Sequence, residues 1–126
     1  MNTPSAANLK GKRGLKRLWN AVRYSMQGIA SAWRNEEAFR QEVLLALLAL
    51  PLGLWLGKNG MERALLAGSV LLILIVELLN SALEAIVDKT SPEMHELAGR
   101  AKDMGSAAVF VSLALAALVW GLTLFS

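Results

Sequence analysis

The chain has 126 residues, 55% of them hydrophobic and only 18% charged, with a mean hydropathy of +0.43. That length accommodates one domain, and the hydrophobicity exceeds that of an ordinary soluble fold. The lack of cysteine excludes disulfides, thiolate metal sites and cysteine nucleophiles, while the single histidine, His95, leaves too few ligands for a zinc cluster or a Ser-His-Asp triad.

The net charge of +3 is unevenly placed: Lys10, Lys12, Arg13, Lys16, Arg17, Arg23 and Arg34 all precede the first acidic residue, Glu36. A basic arm of this kind suits nucleic acid or an anionic membrane surface. The long apolar segments that follow decide for the membrane and against nucleic acid. No compact apolar stretch or small-residue cleavage site follows the first lysines, so the arm does not read as a signal peptide.

Residues 1–11 are expected to be a disordered arm, small and polar at its start. From 12 to 35, Leu15, Leu18, Trp19, Val22, Met26, Ile29, Ala30 and Trp33 recur every three or four residues, with basic residues between them. This pattern predicts an amphipathic helix lying in the membrane interface, with Trp19, Tyr24 and Trp33 at headgroup depth. The run Asn35-Glu36-Glu37 suits a helix N-terminus. A first span is expected over 39–57, kinked at Pro51, with Gly53 and Gly57 allowing a close helix contact.

Lys58-Asn59-Gly60 reads as a tight turn, 62–87 as the second span, 88–104 as a hydrophilic loop broken at Ser91-Pro92, and 105–125 as the third span. Gly105, Ser106, Ala108, Ser112 and Ala116 give that last span a side of small residues suited to helix packing. Three spans put the two ends on opposite sides. The basic residues place the N-terminus and the 88–104 loop in the cytoplasm and the C-terminus outside.

Within the second span, Glu77, Asn80, Ser81 and Glu84 are spaced i, i+3, i+4, i+7 and project from one helix face, and Asp88 extends the stripe. An ionisable side chain inside hydrocarbon costs roughly 2.5–3.5 kcal/mol or more and marks function. At a rise of 1.5 Å per residue, Glu84 lies about 6 Å and Glu77 about 16 Å below the Asp88 boundary. Glu77 therefore suits a general base. Glu84 is within reach of Glu36 and suits Mg²⁺ binding through carboxylate oxygens together with substrate phosphates. Helix–helix glue and an ion-conducting stripe are the competing readings.

The loop weighs for a site, because His95, Glu96, Arg100, Lys102 and Asp103 gather on the side of Glu84. Lys102 can neutralise phosphate charge, and Asp103 can bind a hydroxyl or fix that lysine. No GxxxxGK[ST] loop, kinase glycine-rich loop or HRD motif is present, so phosphoryl transfer here needs a scaffold unlike the soluble kinases.

Three motifs carry a resemblance that covers roughly residues 15–126. They are Asn35-Glu36-x-Ala38-Phe39-Arg40-Gln41-Glu42, Val76-Glu77-x-Leu79-Asn80-Ser81-Ala82-x-Glu84-Ala85-x-Val87-Asp88, and His95-Glu96-Leu97-x-Gly99-Arg100-Ala101-Lys102-Asp103-Met104-Gly105-Ser106. Together they resemble prokaryotic diacylglycerol kinase. The resemblance implies an all-α membrane protein with an N-terminal amphipathic surface helix and three transmembrane helices, assembled as a homotrimer in the bacterial inner membrane. The implied reaction is MgATP-dependent phosphorylation of diacylglycerol to phosphatidic acid, as in membrane lipid recycling.

On the matching positions, Glu77 would be the base, Asn80 would position the catalytic groups, and Glu36 and Glu84 would bind the metal. ATP would be bound by Arg17, Tyr24, Glu36, Glu84, Glu93, His95, Lys102 and Asp103. The lipid would be held by Ala21, Tyr24, Ser25, Ala30, Trp33, Arg40, Gln41, Glu42, Glu77, Ser106 and Trp120. The arm is longer and more basic than the resemblance leads one to expect. Undecaprenol kinase, of the same fold, is the alternative enzyme, and a channel or helper subunit the non-enzymatic one. The His95–Ser106 motif leans towards diacylglycerol.

Overall fold

The computed structural model describes residues 6–89 and 95–126. Four helices follow one another: α1 (Ala6–Asn35), α2 (Glu37–Leu56), α3 (Gly60–Val87) and α4 (His95–Phe125), with no strand among the described residues. The last three are each long and apolar enough to cross a membrane.

The central element is α3. Its buried residues Leu66, Ser69, Val70, Ile73, Glu77 and Ser81 form one stripe at helical spacing, apolar but for Ser69 as far as Ile73 and polar beyond it. Helices α2 and α4 both pack antiparallel against it. Eleven residues separate Glu42 from Gly53 on α2, and eleven separate Leu66 from Glu77 on α3. That register sets Gly53 against Leu66 at one end of the bundle and Glu42 against Glu77 nearer the other. A Cβ on Gly53 would stand 3.0 Å from that of Leu66, so glycine is what allows the close approach.

A second device ties the same end. The Trp120 indole N–H donates to the Leu66 carbonyl (3.1 Å) and to Ser69 Oγ (3.2 Å), while its ring covers Gly53, so one side chain of α4 fastens all three spans. At the opposite end, Lys102 Nζ meets Asp88 Oδ1 at 3.0 Å.

The helix boundaries have local causes. The chain leaves α1 at Glu36, whose extended backbone (φ −120°, ψ 109°) turns it into α2. Arg40 holds this corner by donating to the terminal α1 carbonyls of Trp33 (2.7 Å) and Arg34 (3.3 Å), groups that lack helical partners. Between α2 and α3, the Asn59 side chain accepts from Glu62 N (2.9 Å) and the Glu62 carboxylate accepts from Lys58 N (3.0 Å), a reciprocal cap.

Several boundaries differ from the sequence reading. Helix α1 begins at Ala6, so residues 6–11 are helical where a disordered arm is expected. Asn35 is not the cap of the next helix. It closes α1, and its amide donates back to the Ser31 carbonyl. Helix α2 continues unbroken past Pro51. The largest difference is α4, which starts at His95 and not at 105. The hydrophilicity of 95–104 reflects water, not loop structure: Leu97, Ala98, Arg100, Ala101, Lys102 and Met104 are good helix formers, and Glu96 suits the first turn. At 31 residues, α4 is about ten residues longer than the roughly 20 that cross hydrocarbon, so it extends beyond the span as helix.

Candidate active site

The site lies where the packing face of α3 turns polar. Glu77 is only 5% exposed, and its carboxyl group is within hydrogen-bonding reach of Glu42 across the α2–α3 contact. Glu84 and Glu36 are its further electrostatic neighbours. Four carboxyl groups thus converge from α2, α3 and the α1–α2 corner. One Glu42 oxygen is buried without a hydrogen-bond partner.

One turn beyond Glu77, Asn80 Nδ2 donates to Glu84 Oε1 at 3.3 Å, while Asn80 Oδ1 is buried and unpartnered. Asn80 Oδ1 lies against Gly105 of α4, so Asn80 links Glu84 to the α4 interface. Ser81, 8% exposed, also keeps an unpartnered hydroxyl. It lines a cleft of about 620 Å³ between α1 and α3. Across the cleft, α1 contributes Ser25, Gly28, Ala32 and Asn35, with Glu36 at the corner. Small residues predominate on this side of α1, with Ile29 the one large apolar side chain it adds to the lining.

Glu36 occupies the N-cap position of α2 yet makes no side-chain cap bond. Its carboxylate is left available to the cleft, where the helix N-terminus favours negative charge. Glu84 carries one long hydrogen bond. No group of three His, Asp or Glu ligands occurs among the described residues. Two carboxylates whose remaining partners come from outside the protein fit the donor set of Mg²⁺, which uses one or two carboxylates with phosphate oxygens and waters. They do not fit a closed structural metal site.

The sequence candidates divide by position. Glu36, Glu42, Glu77, Asn80 and Glu84 come together, with Ser25 on the facing wall. Lys102 and Asp103 sit on the early turns of α4, and Lys102 pairs with Asp88, not with Asp103. His95 opens α4 and is exposed. Glu93 lies outside the described residues. Arg17, Ala21 and Tyr24 lie on the exposed part of α1 that projects from the bundle, where Arg23 stacks on Tyr24 at 5.2 Å. Ala30 and Trp33 face outward from α1, and Gln41 and Ser106 are exposed.

Two further candidates, Arg40 and Trp120, have structural partners within the chain. Arg40 caps the end of α1. Trp120 is fixed at the Leu66 end, about 16 Å along α3 from Glu77, so the chain does not bring it to the carboxylates. The sequence reading missed the Lys102–Asp88 pair and the seat of Asn80 on α4. The small-residue periodicity of α4 was the signal for the latter.

Fold and site together define an integral-membrane helical protein with a buried acidic centre near one end of its spans. A sequence profile of the prokaryotic diacylglycerol kinase family matches residues 23–124. The chain is 51% identical over 112 residues to the diacylglycerol kinase of Haemophilus influenzae, covering 89% of this chain and 95% of that protein. It is 50% identical over 113 residues to that of Escherichia coli K12 (90% and 93% covered), and 51% over 116 residues to that of Pseudomonas aeruginosa (92% and 94%). The chain belongs to the prokaryotic diacylglycerol kinase family, and with it to the lipid kinases.

Proposed function

We propose that the protein transfers the γ-phosphoryl group of MgATP to the free hydroxyl of 1,2-diacylglycerol, yielding phosphatidic acid and ADP. The observation that carries this reading is the gathering of Glu77, Glu42, Glu84 and Glu36 beside the α1–α3 cleft. Glu77 accepts the hydroxyl proton as the oxygen–phosphorus bond forms and the bond to the ADP oxygen breaks. Asn80 orients Glu84 through its amide. Glu36 and Glu84 hold Mg²⁺, which when bound offsets the negative charge of the phosphates. Lys102, at the water-facing end of α4, reaches phosphate oxygens by leaving Asp88, an exchange made easy by the exposure of both groups (45% and 63%). Asp103, His95, Glu93, Arg17 and Tyr24 complete nucleotide binding.

The lipid enters beneath α1, which lies in the interface, with Ala21, Ser25, Ala30, Trp33, Gln41, Glu42 and Ser106 along its course. The protein works as a homotrimer in the bacterial inner membrane. The N-terminus and the segment before α4 are cytoplasmic and the C-terminus periplasmic, in keeping with the basic arm. Positioning, a base and charge compensation suffice for in-line transfer.

Purified protein given MgATP and diacylglycerol is expected to form phosphatidic acid. Glu77→Gln should lower the turnover rate by two to four orders of magnitude while the protein still assembles, as removal of a general base does. A Glu77→Gln variant with near-normal rate would remove Glu77 from the mechanism. Offering diacylglycerol and undecaprenol in competition tests the lipid, and a strong preference for the polyprenol would overturn the substrate assignment.

A further inference from the structure

We propose that Gly105 is a positioning residue for the phosphoryl-transfer site, because its missing side chain is the seat of the Asn80 amide. A Cβ built on Gly105 would stand 2.1 Å from Asn80 Oδ1 and 3.2 Å from its Cγ, far inside contact distance. The Asn80 amide therefore occupies the space that any other residue at 105 would fill, and what faces the amide oxygen is the glycine's Cα–H, a weak donor. The same oxygen is buried and has no conventional hydrogen-bond partner. A buried amide oxygen without a strong donor is normally avoided. It persists here because the position of Oδ1 fixes the other end of the amide, and that end bonds Glu84 Oε1 at 3.3 Å.

The sequence of causes runs from α4 to the metal ligand. Gly105 opens a notch in α4, the notch receives Asn80, and the seated amide aims Nδ2 along its own helix at Glu84. A methyl group at 105 would push the flexible end of Asn80 out, since nothing but a side chain stands in its way. Asn80 would then lose Glu84 without any need for the helices to part. Other glycines of α4 do not share this property: a Cβ on Gly121 meets nothing within 4 Å.

The proposal rests on the kinase reading of the site, and its test separates the two. Gly105→Ala, Asn80→Ala and the double variant are compared for kcat, for KM of the lipid, for the Mg²⁺ concentration giving half-maximal rate, and for thermal midpoint in detergent. Gly105→Ala is expected to lower kcat tenfold or more and to raise the Mg²⁺ requirement, leaving KM of the lipid within twofold. In the Asn80→Ala background the same substitution should cost less than twofold, because there is no amide left to displace. Gly121→Ala should behave as the parent protein.

Parent-like activity of Gly105→Ala, or a double variant weakened by the product of the two single losses, overturns the proposal. If Gly105→Ala does not fold, the double variant is expected to fold, and its failure also overturns the proposal. If the parent protein phosphorylates no lipid alcohol, the kinase reading falls. The thermal midpoints then still decide whether Gly105 and Asn80 are coupled.

Discussion

At the scale of single residues, the polar atoms that lack partners mark the site, and those with ideal partners mark scaffolding. Asn80 Oδ1, Ser81 Oγ and Glu42 Oε2 are buried without hydrogen bonds, all near the carboxylate cluster. Trp120 is the opposite case, its indole N–H shared between the Leu66 carbonyl and Ser69 Oγ. Trp120→Phe keeps the ring over Gly53 and removes only the donor, which should cost about 0.5–1.5 kcal/mol. The expected result is a lower thermal midpoint in detergent with an unchanged lipid kinase rate per folded molecule. A fallen rate with an unshifted midpoint would make Trp120 a lipid contact. None of this was readable from the sequence, where Trp120 and Trp33 both stand as candidate lipid contacts.

At the scale of elements, α1 is the least supported helix of the bundle. Its packing side is built from Ser25, Gly28 and Ala32, and its large apolar residues stand exposed, among them Leu15, Leu18, Trp19 and Met26. On the helix these fall on one arc, flanked by Lys12, Lys16 and Arg23. Such a stripe needs an apolar medium beside it and anions at its edge. A variant keeping Trp19 and carrying Phe at Trp33, Trp55 and Trp120 should, in bilayers, be quenched most by lipids brominated close to the headgroups. Quenching by an aqueous quencher alone would place α1 in water. The expectation itself comes from the sequence, because 3.6-residue periodicity is local. The start of α4 was not legible for the converse reason: hydropathy reports solvent, and a helix that leaves the membrane keeps its hydrogen bonds while changing its solvent.

At the scale of the whole molecule, a single chain leaves much apolar surface uncovered. Only Ser112 of α4 is buried, and an apolar groove lined by Leu48, Leu52, Val70, Ile73, Ala116 and Trp120 runs between α2 and α4. Lipid can cover such surface, but three helices cannot enclose two substrates, and Arg17, Tyr24 and Trp33 are exposed within one chain. A site shared between copies meets both needs. Detergent-solubilised active protein should have a protein mass three times 13.6 kDa by light scattering. Full kinase activity in a particle of one chain would exclude a shared site.

The sequence by itself determined the three apolar helices, the basic arm and the shared helix face of Glu77, Asn80 and Glu84, because length, hydropathy and helical period are properties of a local segment. It also carried the family, since the motifs at Glu36, Glu77 and Lys102 are specific in type and spacing. Only the tertiary structure decided which residues meet. It set Glu42 against Glu77, paired Lys102 with Asp88 and left Asp103 aside, fixed Trp120 on Leu66, and turned Gly105 into the seat of Asn80. Each of these joins groups on different helices, and such contacts depend on the register in which the helices pack, which no single segment encodes.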